Sequence, residues 1–318
     1  MKLLRVQTEL TTSPETAAQF IKRGGIVAFP TETVYGLGAD VFDEIAVAKI
    51  FEAKQRPADN PLIAHIGSLD QIGELVSSVP DFARRFIDAF FPGPLTLVLE
   101  RSARVPLIAT AGLDTIGIRM PGNAEANEFL KLCGVPVAAP SANISGRPSP
   151  TTWEAVYEDL NSRIDCILQG EATIIGLEST VVDCTSDDPL ILRAGAVSLE
   201  SLREIVASTR VIDPDQNSAV RSPGMKHKHY APRAAVVIVG PGFEVPNSGL
   251  NAFIGTEEPV GHPDLVKICG SAAEYAHELF AFFRECDKKG INTIYCQRVE
   301  ETGIGVAVMD RLKRAESR

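Results

Sequence analysis

The sequence predicts an α/β protein of two domains, and three observations carry the prediction. Helical stripes alternate with short apolar strands along most of its 318 residues. In the first two-thirds several strands follow one another with no helix between them, so that sheet is expected to be mixed rather than purely parallel. The segment SAVRSPGMKHKHYAPR, at 218–233, has two prolines, a glycine and almost no apolar periodicity, which makes it a linker by composition. The expected organisation is a large domain over 1–209, a linker over 210–233 and a small α/β domain over 234–318.

Taken in order, a helix is expected at 14–23, opened by Ser13-Pro14 as N-cap and first-turn proline and ended by Gly24-Gly25. A strand at 26–29 stops at Pro30. Apolar residues at Ile45, Val47, Ala48, Ile50 and Phe51 mark a helix over 43–54. Strands are expected at 61–66, 95–100, 115–119, 135–139 and 166–168, and helices at 80–91, 123–133 and 152–160. A strand pair at 179–183 and 190–193 precedes a helix at 198–206. After the linker, strands at 235–239, 264–269 and 293–295 surround an amphipathic helix at 272–286, a small βαβ layer. No internal repeat links the two parts.

Composition narrows the class. At 45% hydrophobic and 23% charged residues the chain is ordinary for a globular protein. No apolar run approaches the ~18–20 residues of a membrane span, and the first residues lack an apolar signal core. A soluble, cytoplasmic protein is expected, with no membrane partner. The six cysteines form no CxxC pair and are mostly flanked by apolar residues, so buried thiols are expected rather than a zinc site. A net charge of −10 argues against non-specific nucleic-acid binding. The charge is uneven, however. Residues 210–233 carry five Lys and Arg against two acids, and none of the acids lies beyond Ser218.

Three clusters could carry chemistry. Phe29 to Gly38 reads as a strand end running into two threonines, a glutamate and two glycines, where α/β sheets place ligands; a Thr-capped turn would read the same way. Lys54, Arg56 and Asn60 share a proline-restrained loop before the strand that carries His65. That loop suits phosphate, although cations also favour a helix C-terminus. Ser141, Asn143 and Ser145 follow a run of small residues that lets a ligand approach the backbone. Arg119 and Arg193 each end an apolar strand, and a buried charge there needs a partner. There is no GxxxxGK[ST], GxSxG, HExxH or GxGxxG motif. These residues alone describe a nucleotide or acyl-phosphate site without a Walker loop.

Six motifs occur in order: FPTETVYGLGADV, KQRPADNPLIAHI, FPGPLTLVL, AGLDTIGIRMP, APSANISGRPSPT and GLESTVVD with ILRAG. With SPGMKHKHYAP after them, residues 10 to 310 resemble the long, two-domain form of the YrdC-like threonylcarbamoyl-AMP synthase family. The resemblance implies a twisted mixed sheet around a cationic cavity, plus a smaller Rossmann-like C-terminal domain. It implies condensation of L-threonine, bicarbonate and ATP, with magnesium on the phosphates, for the modification of tRNA next to the anticodon. A separate transferase would use the product, and no stable tRNA binding is expected. By the same resemblance L-threonine would be held by Thr33, His65, Arg119, the backbone of Ala139, and Ser179. ATP would be held by Arg56, Asn60, Thr115, Ser141, Asn143, Ser149, Arg193 and Tyr230 of the linker, which is expected to close over the cavity. Lys54 and Arg56 would stabilise charge; no general base and no protein metal ligand are implied.

Overall fold

The structure, a computed structural model, describes residues 7–212 and 231–316. The first part of the chain runs β1 (Glu9–Thr11), α1 (Pro14–Lys22), β2 (Val27–Phe29), β3 (Gly36–Asp40), α2 (Glu44–Lys54) and β4 (Ile63–His65). A 3-10 turn at Leu69–Gln71 leads to α3 (Ile72–Leu75), α4 (Asp81–Phe90), β5 (Leu95–Glu100) and β6 (Thr115–Arg119). Then come α5 (Ala124–Cys133), β7 (Val137–Ala139), α6 (Trp153–Leu160), β8 (Cys166–Leu168), β9 (Thr180–Asp183), β10 (Leu190–Arg193), α7 (Leu199–Ile205) and β11 (Arg210–Val211).

Among the described residues these strands form one eleven-stranded sheet, ordered β1-β8-β2-β3-β7-β4-β6-β5-β9-β10-β11. Parallel and antiparallel pairs are mixed: β4 lies parallel to β6, whereas β5 is antiparallel to β6 and β4 to β7. The mixed sheet expected from the helix-free connections is therefore present. Local chemistry sets the helix ends. The Ser13 hydroxyl accepts the Thr16 N–H, Asp43 caps α2 at Ile45 and Ala46, and Asn123 caps α5 at Ala126. Gln55, in the left-handed region at φ 53°, turns the chain sharply after Lys54.

The second part comprises β12 (Ala235–Val239), β13 (Asn251–Gly255), β14 (Leu265–Ile268), α8 (Ala272–Lys289), β15 (Thr293–Gln297) and α9 (Gly305–Glu316). Its four strands, ordered β12-β15-β13-β14, are all parallel.

Several elements differ from expectation. Gly36–Asp40 is a buried strand, not a turn: a Cβ on Gly38 would lie 2.4 Å from Val137 Cγ1, so this glycine serves close packing. Strands β1, β11 and β13, α3 and α9 were not anticipated from periodicity. β11 carries the large sheet two residues past position 209. Of the expected linker, residues 213–230 lie outside the described residues, Tyr230 among them. All six cysteines are buried and free, as their apolar neighbours suggested. No described helix is long and apolar enough to cross a membrane.

Candidate active site

The ends of β2, β4, β6, β7 and β10, with the loops after them, surround a cleft of about 720 Å³ of empty space, its mouth included. Thr33, Lys54, Arg56, His65, Arg119, Ala139, Ser141, Asn143, Ser179 and Arg193 all line it. Residues separated by up to 160 positions thus meet in one place, because β7 crosses back between β3 and β4 and brings the third cluster against the first two.

One end is built around Arg119. Its register places it beside His65 on the parallel neighbour β4. Arg119 Nε donates to the Gly93 carbonyl at 3.3 Å, Nη1 donates to Thr33 Oγ1 at 2.8 Å, and Nη2 lies 2.7 Å from Glu32 Oε1. A guanidinium has five N–H donors, so beyond Gly93, Thr33 and Glu32 one remains on each terminal nitrogen. Thr31 Oγ1 donates to the Val34 carbonyl at 2.6 Å. It must therefore accept, at 2.9 Å, from the Thr33 hydroxyl, which fixes that hydroxyl's orientation. Burial pushes the Glu32 carboxyl up, but the Arg119 charge and its hydrogen bonds outweigh it and hold Glu32 below the usual carboxylate range. Burial, with Arg119 beside it, pulls His65 down to about 3, so the ring is neutral. Its Nδ1 lies 3.1 Å from the Ile63 carbonyl, which can only accept.

The other end is cationic. Lys54 is 1% exposed and its Nζ donates to the Ser141 and Asn143 carbonyls, stapling the loop after β7. Burial, then the neighbouring Arg56 charge, hold Lys54 well below the usual lysine range. Arg56 Nη2 donates to the Asn60 carbonyl at 3.2 Å. Ser141 donates to Asn143 Oδ1 at 2.6 Å, while the Asn143 amide donates to the Ile144 and Arg147 carbonyls. Across the cleft, Arg193 Nε donates to the Ser179 carbonyl at 3.1 Å and Nη2 to Ser179 Oγ at 3.2 Å.

Three expected residues stand apart from the lining. Asn60 is fully buried behind Arg56. Thr115 begins the strand that ends at Arg119, and faces a surface groove with Glu100 and Arg101. Ser149 lies behind the wall and donates to Glu178 Oε1 at 2.6 Å. Two acids were missed, Glu32 and Glu178, although both sit inside quoted motifs. The signal available was the buried charge of Arg119, which required a carboxylate partner. Glu178 lines the cleft, and both its oxygens are engaged, one by Ser149 and one by Arg311 Nε at 3.0 Å. Burial raises its carboxyl, and Arg311 and then Arg193 more than reverse this.

The large mixed sheet with its smaller parallel partner places the protein in the fold class of Sua5 and YciO. The family model described as "Telomere recombination" (Sua5_yciO_yrdC) matches residues 19–195. The model "Threonylcarbamoyl-AMP synthase, C-terminal domain" matches 197–317. The chain is 44% identical over 317 residues to a protein of Pyrococcus abyssi named threonylcarbamoyl-AMP synthase, covering 94% of this chain and 92% of that one. It is 40% identical over 331 residues to a Bacillus subtilis protein of the same name, covering 98% and 95%. Among solved structures, P. abyssi Sua5 complexed with L-threonine superposes with TM-score 0.89 at 41% identity, covering 98% and 97%. The chain belongs to the threonylcarbamoyl-AMP synthase family, in its two-domain form.

Proposed function

We propose that this chain is a nucleotidyltransferase that condenses L-threonine, bicarbonate and ATP into threonylcarbamoyl-AMP and pyrophosphate. The observation that carries the reading is the polarity of the cleft: an end suited to an amino acid at Arg119, Thr33 and His65, and an end suited to phosphates at Lys54, Arg56 and Arg193. The two remaining Arg119 donors take the threonine carboxylate. Thr33, Ser179, the neutral His65 and the Ala139 backbone surround the rest of the amino acid. Ser141 and Asn143 border the nucleotide, with Asn60 behind Arg56.

Carbon–nitrogen bond formation between the threonine amine and bicarbonate releases water. A carbamate oxygen then bonds to the α-phosphorus as the bond to pyrophosphate breaks. That step needs positioning and charge neutralisation more than proton transfer. The Arg56 and Arg193 charges supply the neutralisation, with Lys54 fixing the Ser141–Asn143 loop beside them, and no general base is assigned. Both oxygens of the cleft carboxylate Glu178 are already engaged. Magnesium bound to the ATP phosphates would add to that neutralisation. The adenylate serves a separate transferase that modifies tRNA next to the anticodon. The test is pyrophosphate release with ATP, threonine and bicarbonate each omitted in turn. The reading expects release only with all three; release without bicarbonate, or equally with glycine in place of threonine, contradicts it.

A further inference from the structure

We propose that Arg311, on the second domain, is a positioning residue for the nucleotide side of the cleft, and that the second domain supports catalysis in the first through it. Arg311 has no exposed surface. It projects from α9 out of its own domain. Its Nε donates to Glu178 Oε2 at 3.0 Å, its Nη2 to the Ala194 carbonyl at 3.0 Å, and its Nη1 to Asp310 at 2.6 Å. Glu178 and Ala194 are the chain neighbours of Ser179 and Arg193, the two cleft residues that bond to each other. One guanidinium therefore grips both segments of that wall from behind. The segments meet closely: a Cβ on Gly195 would lie 2.3 Å from the Thr180 nitrogen and 2.5 Å from the Ser179 carbonyl carbon. The other oxygen of Glu178 receives Ser149, so the loop after β7 is held by the same carboxylate.

Two further contacts point the same way. Val34, between the cleft residues Thr33 and Tyr35, and Leu177 belong to the apolar core around Tyr275 and Leu279 of α8. Arg284 of α8 pairs with Asp159 at 2.9 Å, and Asp159 in turn holds cleft-lining Arg147 at 2.8 Å. At the carboxyl ends of the second sheet, where an α/β sheet takes a ligand, β15 ends in the buried Gln297 amide. That buried amide oxygen accepts the Thr256 and Glu257 N–H groups at 2.6 and 3.0 Å. What the second domain presents is its contact with the first. A buried ion pair is a poor source of net stability, which directs attention to what this one holds in place.

The inference rests on the proposed reaction, and the test separates the two. In the full-length protein, threonine and a non-hydrolysable ATP analogue are titrated separately into wild type, Arg311→Met, Arg311→Lys and Arg311→Met/Glu178→Gln, each with its melting temperature. A wild type that binds neither ligand overturns the proposed function itself. The positioning role predicts that Arg311→Met weakens the analogue about 10- to 100-fold, and threonine, which meets this wall through Ser179 while Arg119, Thr33 and His65 stay in place, by no more than about fivefold. Arg311→Lys keeps a charge for Glu178 but lacks the planar fork, so it retains stability and still binds the analogue poorly. The double variant removes the orphaned carboxylate and recovers melting temperature without nucleotide affinity. Equal loss of both ligands, or nucleotide affinity that returns whenever stability does, overturns the proposal. If Arg311→Met does not fold, the other two variants decide.

Discussion

Replacing Arg119 by methionine separates what this residue does for folding from what it does for threonine. Its Nη2 lies 2.7 Å from Glu32, and the two side chains are 5% and 9% exposed. Removing one partner of such a buried pair leaves a carboxylate without compensation, a cost of about 3–5 kcal/mol. Loss of the carboxylate grip costs threonine binding a further ~2–5 kcal/mol, roughly 30-fold to several-thousand-fold in Kd. Adding Glu32→Gln removes the stranded charge, so the double variant regains most of the lost stability while threonine affinity stays low. The pH dependence reverses as well. In wild type Glu32 is held low, so its contribution to stability is present at neutral pH and is lost in acid. In Arg119→Met only burial acts strongly on Glu32, its value rises, and stability grows as pH falls through that raised value. Urea denaturation and calorimetric titration with threonine measure both effects. Threonine affinity that survives in Arg119→Met, or returns in the double variant, refutes the assignment.

Three other outcomes follow from the same geometry. His65 is held at about 3 against an ordinary 6.5, so the unfolded chain binds its proton first and stability declines as pH drops below 6.5. Between pH 6.5 and about 5, above the carboxylate range, His65→Gln removes that slope in a set of urea titrations. Lys54→Met strands the Ser141 and Asn143 carbonyls, at about 1–3 kcal/mol for each buried unsatisfied group. It weakens the ATP analogue while threonine still binds, as paired titrations would report. Gly195→Ala forces a Cβ against the backbone of Ser179 and Thr180; it should lower stability by about 1–3 kcal/mol and reduce adenylate formation by displacing Arg193. A melting temperature and rate unchanged from wild type would contradict that.

The helices with strong caps, such as α1 behind Ser13-Pro14 and α5 between Asn123 and Gly134, were legible because their ends are determined within a few residues. β3 was not, because Gly36-Leu-Gly-Ala-Asp has little strand propensity and its glycines answer to the Phe29 ring on the paired strand and to Val137, far along the chain. β13 is a short strand and α9 opens at a glycine with no polar cap and carries five charged residues in twelve, so only the rest of the second domain decides what they become. In the site, each motif showed its residue types, and Arg119 and Arg193 announced themselves as charges on apolar strands. Their partners were hidden: Glu32 is three positions past the end of β2, and Arg311 reaches Glu178 across 133 residues. No spacing rule finds such a contact, because it depends on how two separate sheets come to rest against each other.

The central claim is that one cleft joins threonine, bicarbonate and ATP into a single adenylate, and isotope incorporation tests it most directly. The protein is incubated with ATP, threonine and carbon-13 bicarbonate, and the nucleotide product is weighed by mass spectrometry at once. The account predicts threonylcarbamoyl-AMP carrying the bicarbonate label, formed in proportion to pyrophosphate and lost in Arg119→Met. A product that is threonyl-AMP without the label, or no acyl-adenylate at all, would contradict it.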